Sequence, residues 1–493
     1  MKEKTIVRMP PSPTGPLHLG TARTALFNWC FAKANKSEMI FRWEDTDLER
    51  SKVEFETEIL EGLKWLGMDF VAESSQFVRQ TDNAEKHEFA LQKLWNDDQI
   101  FPCFTTPDQL DTLRTQAQKN KQNFVFWSPF RDKDKTELED LMASGKPYVW
   151  RLKVPKNKII SFDDLVKKTI SVNTDTLGDF VVARSDGSVL YLLANVVDDL
   201  DSGVTHVIRG DDGISNTPKQ ICILESLNEK PFIYSHIPLV LDQQKRKLSK
   251  RNVEQGVCVL IKDFREKGFI PEGVINGLAF LGWNPKSTEE IFSLQDLEEI
   301  FDLKNVNPAA AQYDFGKMEW FNTQWTKRID LQKLKNYFLD WNKSYGKRKN
   351  DEYLSDEIIF DKALELVKQK ASSLDVIAQE LEYLCFDIPA EKDVSISNEK
   401  MNVDETLAQK VLQEIKKMLE SLDESDFRSE ILREKSIEKI SEMGLKNGQF
   451  LWPFRVALSG KSKSAGPFDM AEIFGKEKSL ARINNALKQS NAS

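Results

Sequence analysis

In the first half of the chain, apolar positions follow two different spacings. Thr5-Ile6-Val7-Arg8-Met9 and Met39-Ile40-Phe41-Arg42-Trp43 are short β-rich runs. After Thr21, Ala22, Leu26, Trp29 and Cys30 recur at helical spacing, and Phe55, Ile59, Leu63 and Leu66 give one apolar face to a helix over residues 53–66. The order strand, loop, helix, strand, helix predicts an α/β unit built on a parallel sheet. The pattern resumes near Leu190, with a strand at Thr205–Arg209, a helix opening at Asn216-Thr217-Pro218 and a run from Ile233 to Leu241. Proline is tolerated in a first helical turn because its missing N–H would have no partner there. Between the two halves, residues 83–186 read as an insertion. From Gly256 onward helical spacing takes over, as in Asp361–Lys370 and Asp404–Leu422, and no series of barrel strands is visible.

A chain of 493 residues exceeds what one core can fill and predicts three or more domains. The 40% hydrophobic and 30% charged fractions are ordinary for a soluble protein. No apolar run reaches membrane length, and Met1-Lys2-Glu3-Lys4 leads into a strand, not a secretory apolar segment. Cys30, Cys103, Cys222, Cys258 and Cys385 stand singly, as buried thiols of a reducing compartment do, so a cytoplasmic location is expected. Cys103 has no Cys or His neighbour at ligand spacing, which predicts no structural zinc.

Charge changes this picture locally. The formal net charge of −9 argues against a nucleic-acid ligand only if binding depends on the whole chain, and it depends on patches. Residues 451–493 hold seven Lys/Arg (Arg455, Lys461, Lys463, Lys476, Lys478, Arg482, Lys488) against three acids. Lys146, Arg151, Lys153, Lys156 and Lys158, interleaved with Tyr148 and Trp150, form a second basic stretch that suits phosphate contact with base stacking, or simply decorated strands. The densest cluster is Lys245-Arg246-Lys247-Leu248-Ser249-Lys250-Arg251, where five cations repel unless an anion such as a polyphosphate sits among them. Pro11-Ser12-Pro13-Thr14-Gly15-Pro16-Leu17-His18-Leu19-Gly20 supplies the complementary half. A Gly/Pro loop between strand and helix presents amide donors and a His to an anionic group.

These two segments resemble the HIGH motif (His18-Leu19-Gly20-Thr21) and the KMSKS motif (Lys247-Leu248-Ser249-Lys250-Arg251) of bacterial-type glutamyl-tRNA synthetases, which are class I aminoacyl-tRNA synthetases. The resemblance extends in family order through Arg42-Trp43-Glu44-Asp45-Thr46-Asp47, Tyr191 to Asp199, Val207-Ile208-Arg209-Gly210-Asp211-Asp212, and Trp452 to Gly460. It implies a Rossmann-type parallel-sheet catalytic domain with an insertion, followed by a mainly α-helical anticodon-binding region. The expected boundaries are 1–82 and 187–243 for the catalytic halves, 83–186 for the acceptor-binding insertion and 244–325 for a helical connector carrying the basic loop. Two anticodon-binding subdomains are expected over 326–385 and 386–493.

The implied reaction is activation of L-glutamate by ATP, accompanied by Mg²⁺, and transfer of the glutamyl group to the 3′ end of tRNA(Glu). Positioned cations and amides oppose the charge that develops on phosphorus and on the leaving pyrophosphate. The resemblance assigns His18, Lys247 and Lys250 to catalysis and His18, Gly20, Asp212, Lys247, Ser249 and Lys250 to ATP. Glutamate falls to Arg8 and Arg209 for its carboxylates and Glu44 for its amine, with Ser12, Tyr191 and Asn195 as polar partners. Asp45 and Asp47 are expected to pair with Arg42 or Arg50. Two departures from the family pattern are Gly213 and Asn252, at positions where His is common. Charging of tRNA(Gln) as well, or a catalytically silent tRNA-binding role, are the alternatives, and a monomer is the family expectation. Ser459-Gly460-Lys461-Ser462 is not a P-loop, because Arg455 occupies the position of its first Gly.

Overall fold

A computed structural model describes residues 4–47, 49–248, 258–387 and 394–490. Two compact units divide the chain. One comprises Met1–Asp263 with Val274–Lys317, the other Phe264–Gly273 with Met318–Ser493.

In the first unit, the strand Ile6–Met9 pairs in parallel with Glu38–Trp43, which pairs in parallel with Gln76–Arg79. On the other side of Ile6–Met9 lies His206–Gly210. The Ile6 carbonyl accepts the Thr205 amide at 3.0 Å, and the Ile6 amide donates to the Thr205 hydroxyl at 2.9 Å. His206–Gly210 pairs in parallel with Ile233–Ile237. These strands are covered on both faces, so Val7, Met9, Ile40, Phe41, Val207 and Ile208 are all at most 4% exposed and read as continuous apolar runs. The helix Leu19–Ala34 is buried on nearly all sides through Ala22, Ala25, Leu26, Phe27, Trp29 and Cys30, as a helix packed inside a unit must be. The spatial order of the strands reverses between Ile6–Met9 and His206–Gly210. Such a switch point opens a crevice at the carboxyl ends of the strands.

The expected insertion contains an antiparallel sheet of Ile100–Cys103, Val149–Leu152 and Val181–Arg184. It also returns the hairpin Ile159–Asp164 and Lys168–Asn173 to the main sheet, where Asp164 pairs with Tyr234. Its basic stretch is mostly engaged internally. Trp150 is buried, and Arg151 is buried and donates to the Asp179 carbonyl. Lys153 pairs with Asp98 and Lys158 with Glu225. Trp150 and Arg151 are thus buried strand residues, not exposed decoration, and Lys153 and Lys158 flank the strands in ion pairs.

In the second unit all described elements after Gln312 are helices. Glu357–Lys368 and Glu405–Ser421 fall where helical spacing predicts them, and bury Phe360, Leu364, Leu412 and Ile415. The helix Asn447–Ser459 ends at Gly460 in the left-handed conformation, φ 67°, so the P-loop-like sequence is a helix terminus. Several carboxyl-terminal cations serve helix ends too. Arg482 donates to the carbonyls of Tyr383, Leu458 and Phe386, and Lys476 to those of Glu420 and Leu422.

Candidate active site

At the switch point lies a cleft of about 690 Å³ lined by residues from both halves of the first unit, among them Arg8, Ser12, His18, Gly20, Glu44, Tyr191, Arg209, Asp212 and Lys247. Arg8 and Arg209 sit on the two strands that flank the reversal. The Pro/Gly loop is fixed over the sheet by backbone bonds, the Pro11 carbonyl accepting the Glu44 amide at 3.1 Å and the Pro13 carbonyl the Lys52 amide at 3.0 Å. Ser12, between these two prolines, and Glu44 both line the cleft.

His18 caps the helix Leu19–Ala34. Its Nδ1 accepts the Gly20 amide at 3.1 Å, which in a neutral ring puts the proton on Nε2. The Leu19 amide donates to the Val259 carbonyl at 2.8 Å. Two of the helix N-terminal amides are thus already engaged. The expected anion cradle of amides around Gly20 is narrower than the sequence implies. On the opposite wall, a tight hairpin presents Lys247. The Asp242 carboxylate accepts the amides of Gln244 and Arg246, both at 2.9 Å, and Lys245 takes a left-handed conformation, φ 61°. Lys247 Nζ lies 2.9 Å from Asp212 Oδ2 across an exposed ion pair. Ser249, Lys250, Arg251 and Asn252 lie outside the described residues.

At the inner end the residues form a charge-balanced network. Arg8 Nε donates to Asp199 at 3.2 Å, and Arg42 Nη1 lies 2.7 Å from the same carboxylate. All three side chains are at most 1% exposed. Burial opposes the charge on Asp199, but Arg42 and Arg8 outweigh it and hold the carboxyl below its ordinary range. Glu44 faces Arg42 at 3.4 Å and accepts from Asn195 Nδ2 at 2.5 Å. Burial raises its affinity for a proton in spite of Arg42 and Arg8, so an added cation would favour its ionised form. Asn195 does not line the cleft. It is 1% exposed and stands behind Glu44, its Oδ1 accepting from Gln220 at 2.9 Å.

Arg209 is held on one side only. Nη2 donates to Thr217 Oγ1 at 2.7 Å, Gln220 Oε1 at 2.8 Å and the Gly213 carbonyl at 3.1 Å, and Nε to His236 Nε2 at 3.1 Å, while Nη1 is buried without a hydrogen-bond partner. Gly213 lets the side chain lie close: a Cβ there would stand 2.5 Å from Arg209 Nε. As expected, Asp47 pairs with Arg50. Asp45 instead pairs with Arg79 at 3.1 Å and accepts from the Thr81 hydroxyl at 2.9 Å, because Arg42 turns inward to Asp199. Reasoning from sequence missed Arg42, Asp199, Gln220 and His236. Two adjacent carboxylates, Asp198 and Asp199, directly after the largely apolar run Leu192–Val197 were the available signal.

Residues 4–320 match the model of the catalytic domain of class I tRNA synthetases (E and Q), and residues 331–487 match that of an anticodon binding domain. The chain belongs to the class I tRNA synthetases of the E and Q type. This synthetase is 36% identical to the glutamate–tRNA ligase of Aquifex aeolicus over 99% of each chain. It is 33% identical to glutamate–tRNA ligase 2 of Thermoanaerobacter pseudethanolicus, over 98% of this chain and 97% of the other. Among solved structures, that of a glutamate tRNA ligase from Elizabethkingia meningosepticum in complex with its amino acid matches with a TM-score of 0.85 at 30% identity, covering 99% of each chain. Among the described residues, no helix is long and apolar enough to cross a membrane, and no group of three His, Cys, Asp or Glu could hold a metal ion.

Proposed function

We propose that this synthetase is a glutamate–tRNA ligase and that the cleft at its switch point activates glutamate with ATP. The observation that carries the choice of amino acid is Arg209, a buried guanidinium on the cleft wall whose Nη1 lacks a partner. A substrate carboxylate satisfies that donor, whereas the amide of glutamine neutralises no charge there. Arg8 answers the second carboxylate and Glu44 the α-ammonium, with Ser12 and Tyr191 along the same wall and Asn195 orienting Glu44 from behind. ATP enters over His18, whose Nε2–H donates to a phosphate oxygen. Lys247 exchanges Asp212 for phosphate at little cost, since both partners are more than 60% exposed and such pairs are weak. Lys250 and Ser249 complete the phosphate site, and Mg²⁺ arrives with the nucleotide. Loss of pyrophosphate leaves glutamyl-adenylate, from which the terminal ribose hydroxyl of tRNA takes the glutamyl group.

Charging assays with purified tRNA(Glu), ATP and each amino acid test the reading. Glutamylation of tRNA(Glu) is expected, and its absence under conditions that charge the same tRNA with a reference ligase would refute it. Parallel reactions with tRNA(Gln) decide whether the enzyme also charges that tRNA. A monomeric, cytoplasmic enzyme is the state in which we place this activity.

A further inference from the structure

The nest around Arg209 contains a buried histidine with no part in the reaction above. His236 is fully buried on the strand Ile233–Ile237, and its two ring nitrogens face opposite partners. Nδ1 lies 2.7 Å from Asp164 Oδ2, and Nε2 accepts from Arg209 Nε at 3.1 Å. The Asp164 carboxylate also accepts the backbone amides of Val166, Lys167 and His236, at 2.9, 2.8 and 3.1 Å. So many donors keep it ionised and make it an obligate acceptor, which assigns the His236 proton to Nδ1. Burial lowers the proton affinity of the ring, with Asp164 opposing, so at neutral pH Nε2 carries a lone pair. Thr217 Oγ1 also reaches Nε2 at 3.1 Å, Tyr234 stacks nearby at 6.2 Å between ring centroids, and Asp211 is the other carboxylate that bears on the ring.

We infer that Asp164 and His236 are positioning residues for amino-acid recognition: Asp164 fixes the His236 tautomer, and the Nε2 lone pair anchors Arg209 Nε so that the guanidinium, with its unpartnered Nη1, is held in the cleft wall for the side-chain carboxylate of the substrate. This rests on the assignment of Arg209 to the glutamate side chain. Nε and Nη2 are both taken by the nest, so the guanidinium plane is fixed at two of its three nitrogens. With the tautomer reversed, an N–H of His236 would meet an N–H of Arg209, and the anchor would become a repulsion. The strand that the insertion returns to the main sheet ends at Asp164.

Two substitutions separate the contacts of the ring. An Asn amide reaches where Nδ1 lies and keeps the bond to Asp164 but not the one to Arg209, whereas a Gln amide reaches where Nε2 lies and retains an acceptor for Arg209. His236→Asn should raise the KM for glutamate roughly tenfold with the KM for ATP within about twofold, and His236→Gln should recover most of that loss. An unchanged KM for glutamate in His236→Asn, or a His236→Gln as impaired as His236→Asn, would overturn the inference. Nitrogen NMR on the wild-type enzyme needs no altered ring. Among the four histidines of the chain, the His236 signals should show a protonated Nδ1 and an unprotonated Nε2, and the opposite tautomer would overturn it equally. Arg209→Gln is the control. If it leaves the KM for glutamate unchanged, the assignment of Arg209 itself is wrong. If it raises that KM and His236→Asn does not, only the anchoring role is lost.

Discussion

The triad Arg8, Arg42 and Asp199 gives the most direct test of the electrostatic reading, because one carboxylate bridges two guanidiniums that water does not reach. Arg42 lies 2.7 Å and Arg8 3.2 Å from Asp199, attractions of about 6 and about 5 kcal/mol at an effective dielectric near 20. Repulsion between the two cations and the desolvation of three ions, several kcal/mol apiece, consume most of that gain. Asp199→Asn keeps the shape and an acceptor oxygen but removes the charge. Arg42 still faces Glu44 at 3.4 Å and Asp198 at 3.9 Å, so Arg8, whose one ion pair among the described residues is with Asp199, is the group left unbalanced. Loss of one partner from a buried pair costs about 3–5 kcal/mol, which at a urea m-value near 3 kcal/mol/M lowers the unfolding midpoint of the catalytic unit by about 1–1.7 M. The sign with pH is fixed as well. A carboxyl whose folded proton affinity is depressed stabilises above its unfolded pKa near 3.9, and that stability is lost as pH falls through the lower folded value. The gap between wild type and variant should therefore be full at pH 7 and close only below about pH 4. Urea titrations followed by tryptophan fluorescence read it directly. A change under about 1 kcal/mol, or a double substitution Arg8→Met with Asp199→Leu no more stable than Asp199→Asn, would refute the argument.

Arg209→Gln should raise the KM for glutamate tenfold or more, about 1.5–3 kcal/mol for a charge-assisted bond, and narrow the preference over glutamine; an unchanged ratio of kcat/KM values would move the choice to Arg8. Gly213→Ala puts a Cβ 2.5 Å from Arg209 Nε and must displace the guanidinium, so kinetics should show a several-fold higher KM for glutamate with ATP binding intact. If Lys250 neutralises charge formed only in the transition state, Lys250→Ala should slow activation about a hundredfold while ATP binding, read by titration, weakens much less. Asp212→Asn removes an exposed partner of Lys247 and should change stability by no more than about 0.5 kcal/mol in denaturation curves.

What was legible in the sequence is what local spacing controls. The strand, Gly/Pro loop and helix of the first segment follow from apolar periodicity, and the two motifs mark the two walls of the cleft. The deeper network was not legible because its partners are distant in sequence: Arg8 meets Asp199 across 191 positions and His236 meets Asp164 across 72. A composition count sees a charge but not its partner. Arg151, Lys476 and Arg482 therefore looked like a nucleic-acid surface, while the fold uses them to hold backbone carbonyls.

The same limit shows why the arginines of the cleft are placed as they are. A strand that ends at a switch point has lost its neighbour's backbone ladder, and side chains must supply the bonds there. Arg8 does so by donating to the Ile208 carbonyl at 3.4 Å while its Nε holds Asp199, and Arg209 does so from the facing strand through Thr217, Gln220 and Gly213. Arg8 joins the two halves of the sheet, whereas Arg209 ties its strand to the following turn, the helix Thr217–Ser226 and the strand Ile233–Ile237, and both line the crevice that the reversal opens. The anion recognition proposed for Arg8 and Arg209 would thus use groups the fold already needs at that point. That dual role makes two kinds of variant separable: Asp199→Asn should be seen first in stability, and His236→Asn first in the KM for glutamate.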